Sequence, residues 1–524
     1  MSSTTRLCGD GVWSWFSDPR ALCDGDALIT GWVTKDGVIQ VARHDLISHG
    51  TVTTELELTW EADDHDSPTF VKLSDGRYTA FYCWHSIDGT FPLYRTSLEP
   101  GSVVGWGPMQ LVPENVQGHA GATYVNPLPV PCRQDAYHLF WRGADYKPTM
   151  STGTYDPSSR TWTWSGAWNL ISVPTGRPYV KYADDAGQRI GLAFTNGHPK
   201  ETENSIYYAE IRPEDGGEAF FRADGSRIKD FGLLPLQLDE SDVVFDCTAE
   251  PELTGGNSWV WDVAFDEFGA PVVTYVTFPS KQVHQYHWAR FNGAVWEDAI
   301  LVWDSGGSIA DTTINPQQHY YSGGIVLDPN DPETCYLSRR NPWGGWDIDQ
   351  WKTDDGGDTW SVRHIALGTA DENVRPVVPR SLPDDADVVL WLNGQYDFFE
   401  HDHELPDPDY RYDTSVLVWS GGCATGVDFP VCVVASLAHA PNPFSDMTTF
   451  SFVLSEPGSV ELDIYGVNGR IVRTLCDGRR FEAGPCAFTW DGTDDSGHAV
   501  ASGVYFARVT SRGHALVRRV LLVR

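Results

Sequence analysis

The sequence has few basic residues for its length. Its 524 residues include 37 lysines and arginines against 72 aspartates and glutamates, which gives a formal net charge of −35. Nucleic acids are bound by clustered lysine and arginine, so this balance argues against a nucleic-acid partner. It also means that a site for an anionic ligand has to be locally basic within a negative overall field.

Long apolar runs and closely spaced cysteines are missing as well. No apolar run reaches about 18 residues, so we expect no transmembrane segment. The ten cysteines show no C-x-x-C spacing, which argues against a zinc ribbon and a disulfide framework. The first residues, MSSTTRLCGDG, contain no apolar signal region. From this end alone, we expect either a cytosolic protein or a sequence without its export signal.

Short β-type runs take the place of helix-period patterns. Methionine is rare, with 4 residues, whereas there are 22 tryptophans and 50 glycines. Alternating apolar runs meet at turns such as Lys35-Asp36-Gly37, a combination typical of β-hairpins. Composition and turns together indicate an all-β protein.

The strand-turn-strand unit recurs seven times, with openings about 50 to 85 residues apart. A four-stranded propeller blade takes about 40 to 50 residues plus loops. We therefore predict a seven-bladed β-propeller over residues 1–425, an architecture that protects its strand edges by closing on itself. An array of β-sandwiches is the competing architecture.

A second domain is predicted after the composition changes near Gly421. Alternating strands with Gly/Asp turns indicate a small β-sandwich over residues 436–524. The segments PNPF, IYGVNGRIVRTL, WDGTDDSG and ASGVYFAR resemble the C-terminal sorting domain of the bacterial type IX secretion route and the related FlgD-like immunoglobulin-type module. The resemblance implies a secreted or cell-surface protein. In an exported chain Cys476 and Cys486 either pair or remain free thiols.

Polar side chains concentrate in residues 119–204, among the short strands. His138 and Arg142 lie in AYHLFWRG, where period-two counting places them on one face of a strand. In the segment RPYVKY, residues 177–182, the same counting places the first, third and fifth side chains on one face and Tyr182 on the other. Groups delivered from neighbouring strands in this way are candidates for one shared site.

Several segments carry a resemblance to a known family. TDDGGDTW, at Thr353–Trp360, resembles the Asp-box turn of sialidase-like propellers, and the segment at Tyr155–Trp162 is a looser relative. GDGVWSWFSDPRA, DDHDSPTFVKLSDGR, AYHLFWRG, RPYVKY and FTNGHP together resemble BNR-4-type propellers, a group that includes the ulvan lyases. The resemblance covers about residues 9–420. It implies a polysaccharide lyase that cleaves a uronic-acid-containing, ulvan-like polysaccharide by β-elimination.

Such a lyase needs a base for the C5 proton, an acid for the leaving O4 and a cation beside the uronate carboxylate. The resemblance implies a catalytic role for His119 in GHAGATYVNP, as base or carboxylate contact, and for one tyrosine. Spacing to Lys200 favours Tyr182 and face polarity favours Tyr179; we expect Tyr182. His138 is either a second site histidine or a structural one.

Lys200 stands where family members typically carry an arginine that meets the uronate carboxylate. A lysine supplies a point charge there and loses the bidentate fork. The alternative is that Lys200 is a solvated lysine on an exposed loop. The expected substrate-binding residues are Arg142, Arg177, Tyr179, His198 and Asn204.

The elimination requires no metal, but the resemblance allows a structural zinc. His284 and His319, with Cys247 as a further candidate, have suitable ligand chemistry. The alternative functions are a sialidase-like glycoside hydrolase, which the Asp-box suggests although no F-R-I-P-like start is present, and a non-catalytic glycan-binding propeller. We expect a monomer that acts on an anionic polysaccharide.

Overall fold

The structure is a computed structural model in which nearly every element is a β-strand, as the composition predicts. No helix in its described part is long and apolar enough to cross a membrane. Residues described by the structure are 3–59, 63–85, 91–113, 121–173, 176–201, 203–249, 255–309, 319–341, 344–368, 372–383, 386–396, 412–421, 434–454, 458–467, 469–481, 484–511 and 514–524.

The strands are numbered in chain order. The first fourteen are β1 (Ser3–Cys8), β2 (Ala21–Asp24), β3 (Ala27–Val33), β4 (Val38–Asp45), β5 (Thr51–Leu58), β6 (Thr69–Lys72), β7 (Tyr78–Tyr82), β8 (Leu93–Thr96), β9 (Gln110–Leu111), β10 (Thr123–Pro129), β11 (Ala136–Arg142), β12 (Pro148–Asp156), β13 (Thr161–Trp164) and β14 (Trp168–Asn169). The next twelve are β15 (Ile171–Ser172), β16 (Val180–Asp184), β17 (Ile190–Thr195), β18 (Ile206–Glu214), β19 (Gly217–Phe221), β20 (Arg227–Asp230), β21 (Leu236–Gln237), β22 (Asp242–Phe245), β23 (Ser258–Phe265), β24 (Pro271–Ser280), β25 (Val283–Phe291) and β26 (Trp296–Val302).

The remaining strands complete the ring and form the C-terminal domain. They are β27 (Ile325–Leu327), β28 (Thr334–Arg340), β29 (Trp346–Lys352), β30 (Ser361–Ala366), β31 (Glu372–Val377), β32 (Asp387–Tyr396), β33 (Tyr412–Gly421), β34 (Val434–Ala440), β35 (Thr448–Leu454), β36 (Gly458–Gly466), β37 (Ile471–Phe481), β38 (Gly484–Trp490), β39 (Gly503–Ser511) and β40 (His514–Leu522). Short 3-10 turns lie at Asp64–Asp66, Ala144–Tyr146, Phe231–Leu233 and Leu238–Glu240.

A ring of sheets occupies the first four fifths of the chain. In the part that the structure describes, seven sheets of four or more strands follow one another: β2–β5, β6–β9, β10–β14, β16–β20 with β22, β23–β26, β27–β30 and β31–β33 with β1. Seven is the number of blades that the sequence predicts. The innermost strands contact each other in the order β2, β6, β10, β16, β23, β27, β31.

The two ends of the ring are joined by hydrogen bonds. Strand β1 pairs with β33, so the last sheet combines the beginning and the end of the ring. On the inside, Cys23 N donates to Arg380 O at 2.8 Å and Arg380 N donates to Ala21 O at 3.0 Å. Ring closure leaves no open inner edge, as propellers require.

Aromatic side chains fill the space between the sheets, where a large ring buries much apolar area. The fully buried tryptophans of the ring are Trp13, Trp32, Trp141, Trp259, Trp261, Trp288 and Trp391. The predicted Asp-box turn joins β29 and β30, and Asp355 there accepts hydrogen bonds from Thr359 N and Oγ1 at 2.6 Å. Trp360 of this turn packs edge-on against Trp288, which makes the motif structural.

The C-terminal domain consists of two packed sheets, in the orders β34-β35-β38 and β37-β36-β39-β40. Phe450, Leu462 and Trp490 belong to its core. The ring ends at Gly421 and β34 starts two residues before the predicted domain start at 436. Cys476 and Cys486 are both buried in this core and both are free thiols.

Candidate functional site

Polar side chains gather at one end of the inner strands of three consecutive sheets. An inner strand starts where its antiparallel neighbour ends, so both connections lie at the same end of the sheet. The register shows this in each sheet: Thr69 pairs with Phe81, Thr123 with Arg142 and Val180 with Phe194. Residues just before an inner strand therefore lie at the same end of the ring as residues at or just after the end of its neighbouring strand.

The centre of this end is a pair of stacked histidines. The rings of His65 and His85 lie parallel, with centroids 4.1 Å apart. Asp63 bridges them: its two oxygens lie 2.5 Å from Nδ1 of His65 and 2.7 Å from Nδ1 of His85. Asp64 adds a second carboxylate 2.7 Å from Nδ1 of His65. Both histidines thus point their Nε2 atoms away from the bridging carboxylate.

The two histidines carry different charges. Burial alone lowers the pKa of His65, but the charges of Asp63 and Asp64 outweigh burial and raise it to about 10. Burial and the neighbouring His65 charge lower the pKa of His85 to about 3, against the pull of Asp63. Two stacked imidazolium rings would repel each other, so only one of the two histidines is positively charged. His85 is therefore neutral, and because its Nδ1–H is donated to Asp63, its lone pair lies on Nε2.

Arg142, at the end of β11, connects this pair to a tyrosine. Its Nη2 lies 3.3 Å from Nε2 of His85 and its Nη1 donates to the Tyr179 hydroxyl at 3.1 Å. The guanidinium also sits 4.6 Å above the centre of the Tyr124 ring. A cation, a neutral imidazole and a phenol are thus joined in one contact chain.

A second cation and a third histidine flank Tyr179. His198 packs edge-on against the Tyr179 ring, and its Nδ1 accepts from the Lys200 backbone N–H at 3.0 Å. Burial, then the charges of Arg177 and Lys200, hold the pKa of His198 well below its usual range. Arg177 pairs with Glu201 at 2.9 Å, while its Nε is buried without a hydrogen-bond partner. An unpaired guanidinium donor beside a neutral histidine favours an anionic ligand.

Tyr124, Arg142 and Tyr179 also line a small cavity of about 20 Å³, which is room for about one water molecule. The aromatic floor includes Phe16, whose ring centroid is 4.7 Å from that of Tyr179. Burial raises the pKa of Tyr124 well above its ordinary value, so that phenol stays protonated. Charges beside such a low-dielectric aromatic wall interact more strongly than they would in water.

The structure brings together four of the predicted site residues, namely Arg142, Arg177, Tyr179 and His198. Tyr182 also lines the cavity, but its ring stacks on Phe140 at 4.5 Å within the core between two sheets. Burial raises its pKa. Side-chain alternation along the strand turns Tyr179 towards Arg142 and Tyr182 into the core. The catalytic role expected for Tyr182 stays a prediction.

His138 lies at the other end of β11 from the contact chain. Its Nε2 lies 2.9 Å from Glu218 and its Nδ1 2.9 Å from Thr152 Oγ1. Four residues of extended strand separate it from Arg142 by about 13 Å, so it does not join the contact chain. Its role as a second site histidine stays a prediction. The predicted catalytic His119 falls outside the described residues.

Two predicted residues support the loop that carries His198. Asn204 is fully buried, and its side-chain amide donates to Gly197 O at 2.9 Å. Lys200 is exposed, and its backbone rather than its ammonium is the group bonded to His198. Its predicted role beside a carboxylate stays a prediction.

Of the two predicted zinc ligands, His284 contacts the backbone of His319 and not its side chain. Nε2 of His284 lies 2.7 Å from the carbonyl oxygen of His319, and Nδ1 lies 2.8 Å from Ser322 Oγ. Cys247 contacts Ser205 Oγ at 3.3 Å. A zinc ion would need one of the His284 bonds to open, because a metal takes the lone pair of a ring nitrogen. Zinc at this position stays a prediction.

Two groups of ligand-type side chains do lie close together within the described residues. In the first, Asp63, His65 and His85, the carboxylate already bonds both rings and the Arg142 guanidinium faces Nε2 of His85. In the second, Asp349 is paired with Arg339 at 2.6 Å and with His364 at 2.6 Å; Asp347 completes it. Adjacent guanidinium groups oppose a cation, so hydrogen bonds account for both groups.

Sequence reasoning missed Asp63, His65 and His85 as site residues. Their segments, DDHDSP and FYCWHS, entered only as parts of the family resemblance. A usable signal was present. His65 lies four residues before the inner strand β6 and His85 lies three residues after β7, which predicts that they share one end of a hairpin.

Residues 29–302, about half of the chain, match the family described as BNR repeat-containing family member. The chain belongs to this BNR repeat-containing family. Residues 443–514 match the FlgD Ig-like domain. The search of curated proteins found no match.

Among solved structures, this BNR-family chain is similar to a PL25 ulvan lyase bound to -[GlcA(1-4)Rha3S]-. The identity is 13%, the TM-score is 0.57, and the alignment covers 75% of this chain and 94% of that one. A second PL25 ulvan lyase structure gives 14% identity, a TM-score of 0.57 and the same coverage. At these identities the likeness concerns the fold.

Proposed function

We propose that this protein is a polysaccharide lyase that cleaves a uronic-acid-containing anionic polysaccharide by β-elimination. The observation that carries the proposal is the contact chain Asp63–His85–Arg142–Tyr179, which supplies a base, a cation and an acid side by side. The PL25 ulvan lyases of similar fold support an ulvan-like substrate with glucuronate next to a sulfated sugar. The FlgD Ig-like match supports a secreted or cell-surface location.

In this proposal the uronate carboxylate binds Arg142 and the unpaired Nε of Arg177. Their charges stabilise the enolate-like state that forms when the C5 proton leaves. A carboxylate at Arg142 also cancels one of the positive charges that lower the pKa of His85, and so makes its Nε2 a better base. The acidic polymer is thereby drawn to a basic site within a negative protein.

In the proposed reaction His85 is the base and Tyr179 is the acid. When the uronate carboxylate takes over the Arg142 N–H that faces His85 Nε2, the lone pair on Nε2 takes the C5 proton, and the electrons of that C–H bond form the C4–C5 double bond. The C4–O4 bond breaks, and O4 takes the proton of the Tyr179 hydroxyl, whose oxygen is held by Arg142. Proton exchange with solvent restores both groups. Each role has a protein group, so we propose no metal for the chemical step.

The test is the ultraviolet absorbance of an unsaturated uronate after incubation with ulvan. We expect His85→Gln and Tyr179→Phe to lower kcat by about a hundredfold or more, the range of lost acid–base catalysis. His138→Gln is the matched control, since its histidine lies in the same ring but bonds Glu218. His119→Ala tests the predicted catalytic histidine in the same assay.

The outcomes separate the alternative functions. New reducing ends without the unsaturated product would favour a sialidase-like hydrolase, and saccharide binding without cleavage would favour a glycan-binding propeller. Absence of unsaturated product on ulvan and on other uronate polymers would overturn the lyase proposal.

A further inference from the structure

A short loop in the third sheet of the ring, residues 143–147 between β11 and β12, carries an exposed tyrosine. Asp145 and Tyr146 both have left-handed backbone conformations, with φ of 52° and 59°. Consecutive non-glycine residues in this region are uncommon, and such conformations cluster at functional sites.

Hydrogen bonds on both sides hold the loop in this shape. Gly143 N donates to Lys147 O at 2.8 Å, and the Lys147 ammonium donates to the carbonyl oxygens of Val173 and Gly176 at 3.2 and 2.7 Å. A Cβ on Gly143 would come within 2.4 Å of Thr149 Oγ1, so a larger residue does not fit there. The loop therefore has one defined conformation, which aims the Tyr146 side chain.

The Tyr146 ring reaches the two cations of the candidate site. Its centroid lies 5.4 Å from the Arg142 guanidinium carbon and 5.7 Å from that of Arg177. In contrast to the buried Tyr124 and Tyr179, Tyr146 keeps 42% of its surface exposed. The ring does not fill a core; it presents an apolar surface at the rim, between two groups suited to a carboxylate.

We propose that Tyr146 is a stacking platform for a pyranose ring, the sugar adjoining the uronate held at Arg142. This rests on the proposed lyase function. Pyranose rings have an apolar C–H face and an acidic or hydroxylated edge. An aromatic face takes the former while an adjacent guanidinium takes the latter. Tyr146 would then select acidic oligosaccharides over single acidic sugars.

Three variants test the platform. Tyr146→Ala should raise KM for ulvan about tenfold, which is about 1.4 kcal/mol, with kcat nearly unchanged, whereas Tyr146→Phe should behave as wild type. Tyr146→Gly separates the ring from the backbone, because glycine accepts a positive φ without strain. It should be at least as stable as wild type and still show the raised KM.

Trp168→Ala is the matched control, since Trp168 is an aromatic of the same sheet with 47% of its surface exposed, on β14. It should leave KM unchanged. Calorimetric titration with an ulvan tetrasaccharide gives a readout that does not depend on turnover. If wild type binds without cleaving and Tyr146→Gly loses binding, the platform stands and the lyase proposal falls. Unchanged KM and affinity in both Tyr146→Ala and Tyr146→Gly, or no binding by wild type, would overturn the platform.

Discussion

Replacing Asp63 with asparagine tests the charge arrangement of the candidate site. Asp63 is fully buried, and its oxygens bond Nδ1 of His65 and Nδ1 of His85. Asparagine keeps the volume but offers one acceptor, so one ring N–H loses its partner and the imidazolium loses a counter-charge. Breaking a buried pair costs about 3–5 kcal/mol. Because Asp64 still faces His65, we expect the lower end, about 3 kcal/mol.

The sign of the pH dependence follows from the pKa shifts. The pKa of His65 is raised to about 10, so its stabilising contribution is complete below the unfolded value of about 6.5 and is lost as the pH rises towards 10. Although burial opposes it, the two histidines lower the pKa of Asp63, so that contribution is present above about 4 and lost in acid. The stability difference between wild type and Asp63→Asn should be largest between about pH 4 and 6.5.

Denaturant unfolding across this pH range measures that difference, and ulvan turnover measures the catalytic effect. We expect kcat to fall about a hundredfold, because the orientation and tautomer of His85 are no longer fixed. Asp64→Asn is the control: it removes a carboxylate from His65 but keeps the bond between Asp63 and His85. A stability difference that grows above about pH 7, or equal losses of kcat in the two variants, would refute the assignment.

Three further outcomes are expected. Tyr182→Phe should leave kcat within about twofold of wild type while Tyr179→Phe loses about a hundredfold, because the Tyr182 ring packs in the core; equal effects on ulvan turnover would contradict this. Asp355→Ala should cost about 1–2 kcal/mol of unfolding free energy through the lost turn hydrogen bonds without changing kcat, and thermal denaturation with a parallel activity assay checks it. Glu218→Gln should destabilise by about 1–3 kcal/mol by leaving His138 with a weaker partner, and a loss of activity at full folding would place His138 in the site after all.

Local sequence patterns predicted most of the fold. Alternating apolar runs and Gly/Asp turns predicted an all-β chain, and the spacing of these units predicted seven blades. The Asp-box predicted a tight turn, which Thr359 and Asp355 form. These features depend on backbone geometry over a few residues, and the residue types determine such geometry directly.

The site was only partly accessible from the sequence. Arg142, Tyr179 and His198 were chosen correctly as neighbours, because alternation along a strand decides which side chains share a face. Alternation separates Tyr179 from Tyr182 but does not decide which face meets the ring axis. Spacing to Lys200 favoured Tyr182, whereas face polarity favoured Tyr179. Alternation likewise places His138 and Arg142 on one face of a strand, but a shared face does not mean that two side chains lie close together.

By itself, the sequence determined the strands, the turns and the excess of acidic residues, whose negative field any anion-binding site has to overcome. Only the tertiary structure decided that Asp63, His65 and His85 of one sheet meet Arg142 of the next and Tyr179 of the one after. Their segments lie far apart along the chain, and the contacts arise from ring closure, which brings the same end of consecutive hairpins to one axis. The charge states of the two histidines follow from that meeting, since burial and a shared carboxylate exist only in the folded ring.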